Sequence, residues 1–201
     1  MNTFRELVAS ERPLVLPGAH DALSAMLIQQ AGFKAFFIGG FPVAGVRYGL
    51  PDIGLLGGRE FADAYRDILA VTTLPALVDA DNGYGDPKNV VHLVHSLERL
   101  GAQALFFEDQ VSPKRCGHFN GKEVIGTDEM LGKIKAAVDA RRDAGTLILA
   151  RTDACATQGF EAAVERARRF EEAGADILFV EAVTTLDEIR ALPQRLAAPQ
   201  L

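Results

Sequence analysis

Three acidic side chains follow short apolar runs and are the first candidates for chemistry. Asp79 and Asp81 come after the run at 75–78, and Glu108 comes after the run at 104–107. Such runs are typical of strands buried in a parallel sheet, whose carboxyl ends meet on one side. Carboxylates with no histidine or cysteine beside them favour Mg²⁺ or Mn²⁺ over Zn²⁺. We therefore predict a metal site at Asp79, Asp81 and Glu108. The alternative is that these acids only cap loops and helices.

Arg151 and Glu181 also follow apolar runs, and they lie 30 residues apart, about one strand–helix repeat. Glu108 and Arg151 are 43 residues apart, so a longer loop must follow the fourth run. A guanidinium at the carboxyl edge of a sheet suits a substrate carboxylate through paired hydrogen bonds. The alternative is a salt bridge from Arg151 to Glu181 or Asp153, and the two roles are compatible.

The longer loop holds a cysteine among basic residues, because segment 113–118 reads Pro-Lys-Arg-Cys-Gly-His. A thiol with two basic residues before it and His118 after it is expected to have a lowered pKa. Gly117 would let the loop close over a ligand. Cys116, Lys114 and His118 are therefore candidate catalytic residues. The alternative is a basic surface loop with an incidental thiol.

Two glycines and one further aspartate complete the candidates. Gly39 and Gly40 follow the second apolar run, where a backbone without side chains can approach an anionic ligand closely. The alternative there is a simple turn. Asp52 lies in a long polar loop on the same side and is placed to contact a metal indirectly. We predict that all three contribute to ligand binding.

The elements that must position these residues alternate along the chain. Apolar runs of strand length occur at 14–16, 35–38, 75–78, 104–107, 146–150 and 177–180. Amphipathic stretches of helical period lie between and after them, at 21–31, 59–70, 89–100, 127–142, 160–173 and 184–192. About six strand–helix repeats predict a parallel α/β fold.

Candidate residues at the ends of at least four successive strands favour a (β/α)₈ TIM-type barrel over an open sheet, which concentrates its site at one switch point. No Gly-x-Gly-x-x-Gly segment follows a strand, which disfavours a dinucleotide-binding fold. A complete barrel typically needs about 250 residues. We therefore expect residues 1–201 to form a single barrel domain, truncated after about six βα units, with residues 198–201 beginning a seventh strand.

Composition limits the partners. A net charge of −6 and an isoelectric point near 5.2 argue against nucleic acid or an anionic membrane as the main partner. No apolar run approaches the ~18 residues needed to span a bilayer. Two cysteines do not suggest a disulfide framework. A cytoplasmic protein is the expectation.

Four segments resemble the isocitrate lyase and phosphoenolpyruvate mutase superfamily. They are Val-Asp-Ala-Asp-Asn-Gly-Tyr-Gly at 78–85, Glu-Asp-Gln at 108–110, Lys-Arg-Cys-Gly-His at 114–118 and Ala-Arg-Thr-Asp at 150–153. The third is a mark of that superfamily's carbon–carbon lyases, the methylisocitrate and 2,3-dimethylmalate lyase group. The resemblance implies a (β/α)₈ barrel, Mg²⁺ and α-keto acid chemistry.

The resemblance also implies roles for individual residues. Metal-site roles, some through water, fall on Asp79, Asp81 and Glu108, and an acid/base role falls on Cys116. The positions that would contact substrate are Gly39, Gly40, Gly117, Arg151 and Glu181, of which Arg151 and Glu181 are also candidate catalytic residues. Those that would orient and charge the loop are Lys114, Arg115 and His118. The implied reaction cleaves a 2-hydroxy di- or tricarboxylate into an α-keto acid and a carboxylate. A homo-oligomer, a tetramer in the family, is also implied.

The sequence departs from the 2-methylisocitrate lyases directly after the Cys-Gly-His segment. Those enzymes commonly have Arg-Pro-Asn there, whereas this chain has Phe-Asn-Gly-Lys at 119–122. Loss of that arginine favours a smaller substrate resembling 2,3-dimethylmalate or oxaloacetate. The alternatives are an oxaloacetate decarboxylase or hydrolase, a phosphonomutase-type enzyme on the same barrel, or a truncated barrel without activity.

Overall fold

The computed structural model describes residues 2–117, 119 and 121–201. It contains six strands: β1 (Gly18–Ala19), β2 (Phe36–Ile38), β3 (Ala76–Asp79), β4 (Ala104–Glu108), β5 (Leu147–Thr152) and β6 (Ile177–Val180). The helices are α1 (Phe4–Ser10), α2 (Ala22–Gln30), α3 (Gly40–Val43), α4 (Gly58–Leu69), α5 (Pro87–Arg99), α6 (Thr127–Ala140), α7 (Ala154–Gln158), α8 (Phe160–Glu172) and α9 (Leu186–Arg195). A π-helix at Ala44–Tyr48 continues α3.

The six strands form one parallel sheet in the order β1-β2-β3-β4-β5-β6. Each strand pairs with the next, and the connections carry helices, so the predicted parallel α/β fold is confirmed. The prediction for the first strand was wrong, because pairing with β2 begins at Gly18 rather than at Leu14. Leu14 and Leu16 instead pack against the apolar cluster inside the sheet.

Side chains alternate between the two faces of the sheet, as the strand period of two requires. On one face Leu77, Phe106, Leu149 and Ile177 form an inner cluster, and Phe4 and Leu7 of α1 cover it. The other face packs against the helices and forms the larger core, which includes Val78, Leu105, Ile148 and Leu178. Strands buried on both faces explain the unbroken apolar runs in the sequence.

Residues 199–201 continue the sheet beyond β6. Gln200 pairs with Leu178 in parallel, and the Leu178 N–H donates to the Pro199 carbonyl oxygen at 3.0 Å. The expected start of a seventh strand is therefore confirmed. A TIM barrel has eight strands, and the six described here, curled around one inner cluster, agree with the predicted truncated barrel.

A cavity of about 460 Å³ opens at the amino ends of the strands, lined mainly by apolar side chains of α1, the inner cluster and residues 196–201. The predicted functional residues lie at the opposite end. Among the described helices, none has the length and apolar character needed to cross a bilayer.

Candidate active site

The carboxyl ends of the strands bring the predicted residues together. Each of the four strands β3 to β6 has one predicted residue near or directly after its carboxyl end, at a position whose side chain points to the inner face. In strand order these residues are Asp79, Glu108, Arg151 and Glu181. Glu108 lies directly opposite Arg151 in the β4–β5 register. Parallel pairing and the two-residue period therefore aim these groups at one place.

A cavity of about 210 Å³ occupies that place. The predicted residues that line it are Gly39, Gly40, Asp52, Asp79, Glu108, Lys114, Cys116, Gly117, Arg151 and Glu181. Asp81 lines an adjoining cavity instead, which it shares with Lys114. His118, also predicted to be catalytic, lies outside the described residues.

Asp79 is held by backbone groups. The Gly40 N–H donates to its Oδ2 and the Asp81 N–H donates to its Oδ1, each at 2.9 Å. A Cβ on Gly40 would stand 3.1 Å from that Oδ2, so glycine permits the close approach. Gly40 begins α3, so the glycine pair starts a helix rather than forming the simple turn considered above. Asp81 itself has a φ of 54°, in the left-handed region.

Lys114 reaches from the loop after β4 into the carboxylates. Its Nζ lies 2.7 Å from Asp52 Oδ1 and 3.2 Å from Asp81 Oδ2, and all three side chains are buried. Burial alone would lower the pKa of Lys114, but the surrounding carboxylates, led by Asp81 and Asp79, raise it. The lysine is therefore a fixed cation at this edge of the cavity.

Two members of this group of acids have raised pKa values. Burial raises the pKa of Asp81 to about 6, against the attraction of Lys114, and the Asp79 charge adds to the rise. Burial likewise raises the pKa of Glu108 well above its usual range, although Arg151 opposes this. Asp52, Asp79, Asp81 and Glu108 are named here the acidic cluster, and burial favours the protonated form of two of them, Asp81 and Glu108.

Arg151 is fixed on several sides. Its Nε and Nη2 each donate to Asp153 at 2.8 Å, and its guanidinium carbon lies 5.8 Å from the ring centre of Phe106 and 5.4 Å from that of Phe179. Its Nη1 is 3.5 Å from Glu181 Oε2. The predicted salt bridges to Asp153 and Glu181 are therefore present, and the cation also lines the cavity.

The described residues of segment 113–122, after β4, are named here the cysteine loop; they are 113–117, 119, 121 and 122. Cys116 is buried and lines the cavity. Lys122 holds the loop to β5, because its Nζ donates to the Gly117 carbonyl oxygen and to Asp153 Oδ1, both at 2.7 Å. Gln110, which lies between β4 and the cysteine loop, donates to Glu108 Oε1 at 3.1 Å and to the Arg115 carbonyl oxygen at 3.0 Å.

Sequence reasoning missed Lys122 and Gln110 as members of the site. Lys122 belongs to the segment in which this chain departs from the 2-methylisocitrate lyases. The expected loss of an arginine there therefore overlooked Lys122, whose ammonium is buried and binds Asp153 and the Gly117 carbonyl oxygen. The only available signal was a lysine shortly after the Cys-Gly-His segment.

Behind the site, a buried ion pair supports Asp153. Asp109 accepts hydrogen bonds from the Thr152 hydroxyl at 2.7 Å and the Asp153 N–H at 2.9 Å. Arg166 of α8 neutralises Asp109, with Nη2 2.9 Å from Oδ2. Arg166, Asp109 and Asp153 thus form a continuous chain of contacts to Arg151.

The acidic cluster fits a hydrated Mg²⁺ ion. Across residues 2–117, 119 and 121–201, no three His, Cys, Asp or Glu side chains converge closely enough to surround a bare cation. Mg²⁺ keeps several waters and takes only one or two carboxylates directly. Carboxylates set slightly apart suit such an ion. Asp79, Asp81 and Glu108 would hold it, with Asp52 beside them.

The fold and the site together define a class: parallel (β/α)-barrel enzymes with an acidic cluster, an arginine and a thiol at the carboxyl ends of the strands. The chain belongs to the phosphoenolpyruvate phosphomutase family, whose model matches residues 4–200. The resemblance given by the sequence motifs is therefore confirmed.

Curated relatives point to carbon–carbon lyases. The chain is 45% identical over 199 residues to 2-methylisocitrate lyase of Shewanella oneidensis, covering 98% of this chain and 68% of that protein. It is 47% identical to 2-methylisocitrate lyase of Aeropyrum pernix, covering 98% and 63%. It is 40% identical to 2,3-dimethylmalate lyase of Eubacterium barkeri, covering 98% and 69%. The chain thus spans about two thirds of the length of these relatives.

Solved structures agree on the fold. A crystal structure of 2,3-dimethylmalate lyase, a PEP mutase/isocitrate lyase superfamily member, matches with a TM-score of 0.93 at 35% identity, covering all of this chain and 69% of that one. Oxaloacetate acetylhydrolase in complex with 3,3-difluorooxalacetate matches with a TM-score of 0.93 at 33% identity, covering 98% and 69%. Phosphonopyruvate hydrolase in complex with oxalate and Mg²⁺ matches with a TM-score of 0.85 at 32% identity, covering 99% and 71%.

Proposed function

We propose that the protein is a Mg²⁺-dependent carbon–carbon lyase. It cleaves a 2-hydroxy di- or tricarboxylate, resembling 2-methylisocitrate or 2,3-dimethylmalate, into an α-keto acid and a second carboxylate. The observation that carries the proposal is that one cavity brings together Asp79 and Glu108, Arg151 and Cys116. The lyase relatives support the same reaction class.

Each group has a distinct task. Mg²⁺ at the acidic cluster would stabilise negative charge on the carbonyl oxygen that forms. Arg151 orients a substrate carboxylate through its remaining guanidinium edge. The substrate hydroxyl loses its proton to a carboxylate of the site, the carbon–carbon bond breaks, and its electron pair stays with the departing carbon. Cys116 gives its thiol proton to that carbon.

The test is keto acid release from 2-methylisocitrate, isocitrate, 2,3-dimethylmalate and oxaloacetate, measured with Mg²⁺ and with a chelator. We expect chelator-sensitive release from at least one of the hydroxy acids. A folded protein that releases keto acid from none of the four would contradict the proposal. Mn²⁺ is expected to replace Mg²⁺, because both accept oxygen ligands.

Cysteine variants separate catalysis from binding. Cys116→Ser should lower kcat by about 10²-fold or more, the usual contribution of general acid catalysis. Cys155 is the matched control, because its Sγ contacts the Ala182 carbonyl oxygen at 3.5 Å and does not line the cavity. Cys155→Ser should keep full activity, and equal losses in both variants would remove Cys116 from the mechanism.

A second candidate function is hydrolysis or decarboxylation of oxaloacetate. The oxaloacetate acetylhydrolase structure matches as well as the 2,3-dimethylmalate lyase structure does, each with a TM-score of 0.93. Turnover of oxaloacetate alone in the substrate panel would establish this alternative.

A homo-oligomer, tetrameric by resemblance, and a cytoplasmic location belong to the same proposal. Large apolar side chains on α2 support association, since Leu23, Met26 and Leu27 are each more than half exposed. Light scattering that shows a monomer at assay concentration would contradict the oligomer.

A further inference from the structure

A buried lysine of α6 contacts the backbone between β3 and α5. Lys133 is 6% exposed, and its Nζ donates a hydrogen bond to the Asn82 carbonyl oxygen at 2.9 Å. That partner is a neutral backbone group, so the contact does not balance the charge of the ammonium. Burial of a charged group is unfavourable, and methionine would fill a similar volume without that cost. The contact with Asn82 is therefore the feature that distinguishes lysine at this position.

The segment that Lys133 holds has an unusual backbone. Four of the six residues at 80–85 have φ values between 54° and 148°, and two of these four, Asp81 and Tyr84, are not glycine. Such left-handed conformations are unfavourable for residues with a side chain. A backbone of this kind keeps its shape only where surrounding contacts hold it. Segment 80–85, named here the Asp81 turn, therefore depends on contacts from outside it.

Asn82 connects Lys133 to the carboxylate of Asp81. The Asn82 N–H donates to Asp81 Oδ1 at 3.0 Å, while the carbonyl oxygen of Asn82 accepts from Lys133. The other carboxylate oxygen, Asp81 Oδ2, lies 3.2 Å from Lys114 Nζ. The Asp81 carbonyl oxygen accepts from the Glu108 N–H at 2.9 Å, which joins the turn to the end of β4. A shift of Asn82 would therefore move the Asp81 carboxylate relative to Glu108.

We propose that Lys133 is a positioning residue for the divalent cation, because it fixes Asn82 and thereby the orientation of the Asp81 carboxylate. The inference rests on the proposed Mg²⁺ site. It adds a residue of α6, which lies outside the strand-end motifs. Lys133 acts through Asp81 and takes no direct part in the reaction. Removal of a group that orients a metal ligand typically weakens metal binding 10–100-fold.

The test measures Mg²⁺ affinity by calorimetric titration of the metal-free protein. Lys133→Met should weaken Mg²⁺ binding by at least about tenfold. The direction of the change separates positioning from charge, because loss of a positive charge that acts only through space would strengthen the binding of a cation. If Lys133→Met bound Mg²⁺ as tightly as wild type, or more tightly, the inference would be overturned.

Lys135→Met is the matched control. Lys135 is exposed and lies two residues further along α6, so the same substitution removes the same charge from the same helix at a position that faces solvent. Its Mg²⁺ affinity should equal that of wild type. A tenfold loss in this variant as well would overturn the specific role of Lys133.

Urea unfolding of the metal-free proteins separates positioning from a general loss of structure. A lower free energy of unfolding in Lys133→Met with unchanged Mg²⁺ affinity would assign the lysine a structural role only and overturn the inference. If that variant did not fold, Lys133→Gln, whose neutral side chain is one bond shorter, would take its place with the same expected loss of affinity. Absence of Mg²⁺ binding by the wild-type protein would overturn the proposed function as well.

Discussion

Gly117→Ala is the most direct test of how the cysteine loop closes on β5. A Cβ built on Gly117 overlaps Nη2 of Arg151 and lies 3.3 Å from Cζ and 3.4 Å from Nη1. The guanidinium cannot yield, because Asp153 binds it through two hydrogen bonds of 2.8 Å and two aromatic rings flank it. Overpacking of this kind costs about 1–3 kcal/mol. The loop relieves that strain by moving away from β5.

The displacement carries Cys116 with it. A shift of about 1 Å in a reacting group typically costs about 10²-fold in rate, so kcat/KM for keto acid release should fall by that factor. The free energy of unfolding, measured in urea, should change by no more than about 1–3 kcal/mol. Gly126→Ala is the control, since a Cβ there meets nothing within 4 Å. If Gly117→Ala kept the wild-type kcat/KM, the claim that glycine at this position is needed for the cysteine loop to lie close to Arg151 would be refuted.

Three further predictions follow from the buried charges. Lys122→Met should lower the free energy of unfolding by about 1–3 kcal/mol and reduce kcat/KM, because the cysteine loop loses its hydrogen bond to Asp153. Unchanged kcat/KM would argue that this hydrogen bond does not position the loop. Arg166→Met should cost about 3–5 kcal/mol in urea titrations, because it leaves Asp109 buried without its cation. The exposed Arg168 on the same helix is its control, and Arg168→Met should change stability by no more than about 0.5 kcal/mol. Removal of Mg²⁺ should lower the melting temperature, and Mg²⁺ at 100 times its Kd should restore about 2.7 kcal/mol; melting that ignores Mg²⁺ would contradict the metal site.

The convergence of Asp79, Glu108, Arg151 and Glu181 could be predicted because two simple rules act together. A run of apolar residues identifies a doubly buried strand, and the first polar residues after it stand at the carboxyl end. In a parallel sheet those ends share one edge. The family motifs then added the cysteine loop, and the structure places Cys116 and Gly117 in the same cavity.

Other features depend on contacts that no local pattern reports. Lys122 binds Asp153, which is 31 residues away, and only the closed loop shows that pair. The first strand was misplaced because the packing of Leu14 and Leu16 inside the sheet imitates the apolar pattern of a strand.

The position of Lys114 has a consequence for the order in which ligands act. Lys114 belongs to the cysteine loop by sequence, yet its ammonium lies between Asp52 and Asp81, at 2.7 and 3.2 Å. A divalent cation among these carboxylates competes with the lysine for their charge, so cation affinity and loop position are thermodynamically linked. Linkage is reciprocal. If the cation changes the affinity for a substrate that favours one position of the loop, that substrate changes the affinity for the cation by the same factor.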